Sequence, residues 1–137
     1  LLITIPGINL YMHGTYITSG HAHLALFGTL GFLVIAGCYY ILSRDSEPSN
    51  KEYKRGVRAV VLLNGGLLMM GTALLAAGFL QTYFWRVTGM EFMEVQALIR
   101  PYLLLRALGG AVFALGDFLL VRIILEAWWK TRLFTRN

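Results

Sequence analysis

The chain has 137 residues, of which 57% are apolar and 14% charged, and a formal net charge of +5. Its charges fall mainly between long runs of Leu, Ala, Gly, Val and Phe, so lipid is the solvent for most of the chain and a water-soluble globular domain is excluded. The positive balance does not point to nucleic acid, because the cations are split between connections and interleaved with lipid-spanning sequence; a basic membrane face contacts anionic lipid instead.

The chain opens Leu1-Leu2-Ile3-Thr4-Ile5-Pro6 without an initiator methionine or a visible signal peptide, which reads as a piece cut from a longer chain. Three stretches, about 15–43, 57–83 and 101–129, exceed the roughly 20 residues needed to cross about 30 Å of hydrocarbon. The expected fold class is therefore all-α, an integral membrane helical bundle with three transmembrane helices.

The first span carries His21-Ala22-His23. Two helical positions differ by about 200°, so these imidazoles point to opposite faces and cannot share one metal. They can serve two, and a helix presenting one axial ligand on each side is suited to holding two haems. Gly14, Gly20, Ala22, Ala25 and Gly28 would keep the helix thin enough for two flat macrocycles. The bland alternative is that the histidines hydrogen-bond within a packed bundle and that the small residues serve helix packing. Cys38, the lone cysteine, supports neither a disulfide nor a cysteine-based metal site.

Arg44-Asp45-Ser46-Glu47-Pro48-Ser49-Asn50-Lys51 is a polar linker in which Pro48 ends the helix, and it must face water. On the second span, Asn64, Thr72 and Gln81 are expected to hydrogen-bond between helices. The connection Arg86 to Arg100 has room for a short interfacial helix, and Pro101 is expected to start the last span at its first helical position. In that span Asp117 should be neutral, paired or facing a wet interior; a proton path and burial against another helix both fit. Arg122 and Glu126, four residues apart, are expected to pair. The clusters Tyr39-Tyr40, Tyr83-Phe84-Trp85 and Trp128-Trp129 mark membrane interfaces.

Basic residues choose the orientation. Arg44, Lys51, Lys54, Arg55 and Arg58 follow the first span and Lys130, Arg132 and Arg136 the third, whereas the other side has only Arg86 and Arg100. The 44–58 connection and the C-terminus are therefore expected in the cytoplasm, with the histidines in the outer half of the membrane.

His13-Gly14-Thr15, followed by His21-Ala22-His23, has the His-x7-His-x-His spacing of the tenth transmembrane helix of the haem-copper oxidase superfamily. Gly after the first histidine resembles the nitric oxide reductase branch, as do Ala76-Ala77-Gly78-Phe79-Leu80-Gln81, Glu91-Phe92-Met93 and Leu105-Arg106-Ala107-Leu108-Gly109-Gly110. The likeness runs from about Gly7 to about Trp128.

This resemblance implies that His21 is the proximal ligand of a high-spin haem b and His23 one of two ligands of a low-spin haem b, with irons on the order of 15 Å apart. It implies that His13 lies among the haem propionates, for which a surface histidine forming a helix N-terminal hydrogen bond is the alternative. Arg106 takes the same propionate role, against a snorkelling arginine as the alternative. The implied reaction reduces two nitric oxide molecules to nitrous oxide and water at the high-spin haem and a non-haem iron, whose ligands would lie on upstream helices of the same subunit. The whole chain, residues 1–137, is then the C-terminal part of a subunit of a bacterial inner membrane, present as a fragment or a split gene product. Its electron donor would be a cytochrome c subunit or a quinol. An oxygen-reducing oxidase of the same superfamily and a non-catalytic di-haem membrane module remain as alternatives.

Overall fold

The computed structural model describes residues 2–43 and 49–134, and every element among them is helical. A 3-10 turn, Leu2–Thr4, leads into α1 (Pro6–Met12), whose Pro6 occupies the helix start, where its missing amide leaves nothing unsatisfied. The first span is α2 (Tyr16–Ala25), a π-helical stretch Leu26–Gly31 and α3 (Phe32–Ser43). The second is α4 (Asn50–Gln81) with a π-helical stretch Thr82–Val87, and the third is α5 (Phe92–Phe134). By length and composition, Tyr16–Ile41, Asn50–Val87 and Phe92–Lys130 can each cross a membrane, and the fold is an all-α membrane bundle.

The second span starts about two turns earlier than hydropathy predicts. Ser49 accepts from the Glu52 amide while the Glu52 carboxylate accepts from the Ser49 amide at 3.0 Å, a reciprocal cap that starts the helix among charged residues. Hydropathy is blind to such a start, because polar caps lie outside the apolar window. The linker reading of Arg44 to Pro48 and the tail residue Arg136 lie outside the described residues, as does the side chain of Arg132.

The third span also starts earlier, and here the expectation for Pro101 is corrected. Pro101 lies inside α5, not at its first turn. The carbonyl deprived of a partner by the missing amide belongs to Ala97, an exposed residue, so the break in the ladder falls at the surface. The separate interfacial helix expected in the Arg86 to Arg100 connection is instead the opening of α5. Only a tight turn remains between the spans, with Gly89 at φ +73 and the Met90 amide bonded to the Phe84 carbonyl at 2.9 Å.

α4 packs against both α5 and the first span, which also touch each other through Phe27 and Phe113. Its buried side toward α5 repeats every three or four residues through Ala59, Leu63, Gly66, Met70, Ala73 and Ala77. Small residues carry the seam. A Cβ on Gly66 would lie 2.7 Å from Phe113 Cα, one on Gly109 2.8 Å from the Met70 amide nitrogen, and one on Gly116 2.8 Å from that of Leu63. Apolar side chains gain little by leaving lipid for protein, so this close backbone approach is what associates the helices.

Ion pairs close the seam at the 49-to-58 end. The Arg122–Glu126 pair expected from spacing is present at 2.9 Å, and Arg55 of α4 joins it at 3.1 Å from the same carboxylate. Lys130 reaches Glu52 at 2.6 Å. Asn64 and Thr72 do not bridge helices as expected: each bonds back to its own helix, to the carbonyls of Val60 and Leu68, while facing outward. Of the three polar residues only Gln81 links elements.

Candidate functional site

The histidines sit on an element whose rotation is fixed from behind. Ile17, Gly20 and Leu24 face α4, where a Cβ on Gly20 would stand 3.2 Å from Leu74 Cβ and one on Gly71 2.8 Å from Leu24 Cδ2. A Cβ on Gly78 would overlap the Ile17 backbone. At the end of the bundle next to α1, buried Gln81 accepts a hydrogen bond from the Tyr16 amide at 2.9 Å, satisfying one of the free donors at the start of α2. These contacts pin α2 axially and rotationally.

With that face set, the directions of the histidines follow. At about 100° per residue, His21 projects about 70° to one side of the α4-facing line and His23 about 90° to the other. His21 is exposed and His23 half-buried. His23 Nδ1 lies 2.7 Å from the Ser19 carbonyl, an acceptor, so Nδ1 carries a proton, and in the neutral ring Nε2 is the nitrogen with the lone pair. This is the tautomer, and the backbone support of the far ring nitrogen, that metal-ligating imidazoles use.

Phe27, one turn inward of His23 on the same flank, meets Phe113 of α5 edge-on at a centroid distance of 5.0 Å. The His23 flank therefore opens on the α5 side and the His21 flank away from it. Arg106 lies two turns outward of Phe113 on the same face of α5 and is exposed. Since Gly109 sits over Met70 and Leu24 over Gly71, Arg106 is at the depth of the histidine pair. It is thus about four turns inside α5, whereas a helix starting at Pro101 would have put it one turn from the end.

His13 is not on the helix that carries His21. It closes α1, with its amide on the Asn9 carbonyl at 2.8 Å, and the chain then turns through Gly14 at φ +77 into Thr15. Thr15 is buried and its hydroxyl donates to the Met12 carbonyl at 2.7 Å, which fixes the turn. His13 is exposed beside it. Gly14 needs its positive φ, and Gly20 is spent on packing against α4, so neither thins the helix for a ligand as expected. Ala25, exposed one turn inward of His21, does leave that flank open.

Sequence reasoning missed two contributors, the Ser19 carbonyl and Arg86, and anticipated that Gln81 bonds between helices without naming Tyr16 as its partner. Arg86 packs over the Trp85 ring at 4.0 Å, and a Cβ on Gly14 would lie 4.0 Å from its Nη2, so this cation stands at the His13 turn. The Ser19 contact uses a backbone carbonyl, so the identity of residue 19 carried no signal for it, and nothing local announces Arg86. Asp117 is exposed, and among the described residues no side chain pairs with it. Among them, no three of His, Cys, Asp and Glu converge on one point.

Two opposed imidazoles on a pinned apolar helix can each supply one axial bond to a separate group. The sequence matches the cytochrome c and quinol oxidase polypeptide I family over residues 1–112. The chain belongs to that family. Cytochrome c and quinol oxidase polypeptide I is the subunit I of the haem-copper oxidase superfamily, whose members are membrane oxidoreductases that bind haem. The matched region of this polypeptide contains His13, His21, His23 and Arg106 and ends within α5 before Asp117.

Among similar proteins, a nitric oxide reductase subunit of Stutzerimonas stutzeri is 26% identical over 121 residues, covering 82% of this chain and 26% of the relative. A bacteroid cytochrome c oxidase subunit 1 homolog of Bradyrhizobium diazoefficiens is 24% identical over 132 residues, covering 87% and 23%. A cytochrome c oxidase subunit 1 homolog of Agrobacterium tumefaciens is 26% identical over 129 residues, with the same coverage of 87% and 23%. The chain thus spans about a quarter of the length of these relatives.

Proposed function

We propose that this chain is the haem-ligating part of a membrane nitric oxide reductase. The observation that carries the reading is the pinned opposition of His21 and His23, with His23 Nδ1 engaged by the Ser19 carbonyl so that Nε2 is the ring nitrogen left to bind. His21 would hold a high-spin haem b, and His23 a low-spin haem b on the α5 flank. Bound there, the two groups would supply the redox chemistry for 2 NO + 2 H+ + 2 e− → N2O + H2O.

This chain's residues hold and orient. Gln81 and Gly78 fix α2 so that the helix face carrying each imidazole is set, and Phe27 meets Phe113 edge-on one turn inward of His23. Arg106 places a positive charge beside that flank, and His13 and Arg86 stand at the outer turn, where propionates would be met. The residues that would hold the non-haem iron and complete the low-spin haem site would lie on upstream helices of the same subunit. A cytochrome c subunit or a quinol supplies the electrons.

Nitric oxide is favoured by His13-Gly14-Thr15 and by the nitric oxide reductase relative. Two relatives at 24% and 26% identity are named as cytochrome c oxidase homologs, which makes oxygen the competing substrate. Membranes containing the intact protein, given reductant, are expected to consume nitric oxide and form nitrous oxide with negligible oxygen uptake. Oxygen uptake without nitrous oxide would transfer the assignment to the oxidase reading, and neither activity would leave the di-haem module.

The site is assigned to the outer half of a bacterial inner membrane. A reporter fused after Asn137 is expected to be active only in the cytoplasm, and one inserted at Gly89 only outside. The reverse pattern would place the histidines on the cytoplasmic side and refute this orientation.

A further inference from the structure

The early start of α4 puts cations that hydropathy assigns to a loop onto one helical face. Lys51, Lys54 and Arg58 follow each other at spacings of three and four, and Val61, Gly65 and Leu68 continue the same spacing inward. All six are exposed; Val61 and Leu68 are 63% and 64% accessible, and a Cβ on Gly65 would meet nothing within 4 Å.

The cations at this end divide into two sets. Arg55, Arg122 and Lys130 are consumed by Glu126 and Glu52 on the α5 side. Lys51, Lys54 and Arg58 lie about a quarter-turn or more away from that seam, and among the described residues no carboxylate pairs with them. The two glutamates at this end among the described residues, Glu52 and Glu126, are both committed to the seam, so among the described residues no carboxylate offsets the three cations of the free face.

We infer that the Lys51–Lys54–Arg58 face of α4 binds an anionic phospholipid, with its phosphate on the cations and an acyl chain along Val61, Gly65 and Leu68. Charge complementarity selects the headgroup. The order of the stripe, cations at the helix start and open apolar surface directly inward, matches a head followed by a tail, which a soluble anion or an acidic peptide lacks. Gly65 leaves a recess in which a chain can lie against the backbone. The inference is independent of which gas the enzyme reduces.

The test uses the intact membrane protein, extracted in mild detergent and washed, with bound lipid counted by native mass spectrometry. Wild type is expected to retain phosphatidylglycerol or cardiolipin, and K51Q/K54Q/R58Q to lose it by at least about fivefold, on the scale of one basic residue's attraction at a membrane surface. K51R/K54R/R58K and K130Q should retain it. Spin-labelled phosphatidylglycerol should likewise be preferred over spin-labelled phosphatidylcholine in wild type only. Equal retention by the triple glutamine variant would overturn the inference. So would displacement of the label by millimolar inorganic phosphate, or a photo-crosslinker at Val61 that captures polypeptide instead of lipid.

Discussion

His23→Ala, made in the intact protein, is expected to remove the low-spin haem signal while leaving most of the high-spin one, and His21→Ala to do the reverse. The separation follows from geometry: the two rings leave α2 about 200° apart, so loss of one does not disturb the pocket on the other flank. Turnover should fall more than about a hundredfold in His21→Ala, since removal of even a residue that only supports a metal ligand costs about 10–100-fold. Ser19 supplies an internal comparison. Its backbone carbonyl, not its hydroxyl, holds His23 Nδ1, so Ser19→Ala should leave the low-spin spectrum close to wild type. Absorbance and electron paramagnetic resonance spectra of the purified variants read all three. Two intact haem signals in both histidine variants would mean that neither ring is a ligand and that the pair serves packing.

The second large effect is expected at a residue that touches no ligand. In Gly78→Val the new Cβ would overlap the Ile17 backbone, which cannot yield as a flexible side chain could. Overpacking a side-chain contact costs about 1–3 kcal/mol, and a backbone clash at least the upper end of that range. The relief available is for α2 to move off α4, breaking the Gln81 bond to the Tyr16 amide and releasing the rotation that aims both histidines. The expected result is a lowered Tm together with loss of both haem signals, in contrast to the selective losses above. Gly65→Ala, where nothing lies within 4 Å, should be neutral in both measurements. Wild-type stability and haem content in Gly78→Val would show that the α2–α4 contact does not position the site.

The opposed direction of the histidines was legible from their spacing, because helical periodicity alone separates neighbours two positions apart. The three spans were legible from hydropathy, and the Arg122–Glu126 pair from its four-residue interval. These are local properties, determined by residues within a turn or two of each other. What local pattern could not decide was where each polar helix start falls: the Ser49–Glu52 cap extends α4, and Pro101 is absorbed within α5 because its orphaned carbonyl is exposed.

Nor could spacing decide which flank each histidine faces. That depends on the side of α2 that meets α4, and hence on Gly20, Gly71 and Gly78, residues whose importance is the absence of a side chain opposite a backbone far away in sequence. Arg106 moves to histidine depth, and Gln81 rather than Asn64 or Thr72 bridges helices, for the same reason. A glycine or a glutamine has the same sequence signature whether it faces lipid or a neighbouring helix. The chemistry of the two imidazoles was therefore determined by the sequence itself, while their aim was decided by close backbone approach between elements, a tertiary interaction with no local periodicity to announce it.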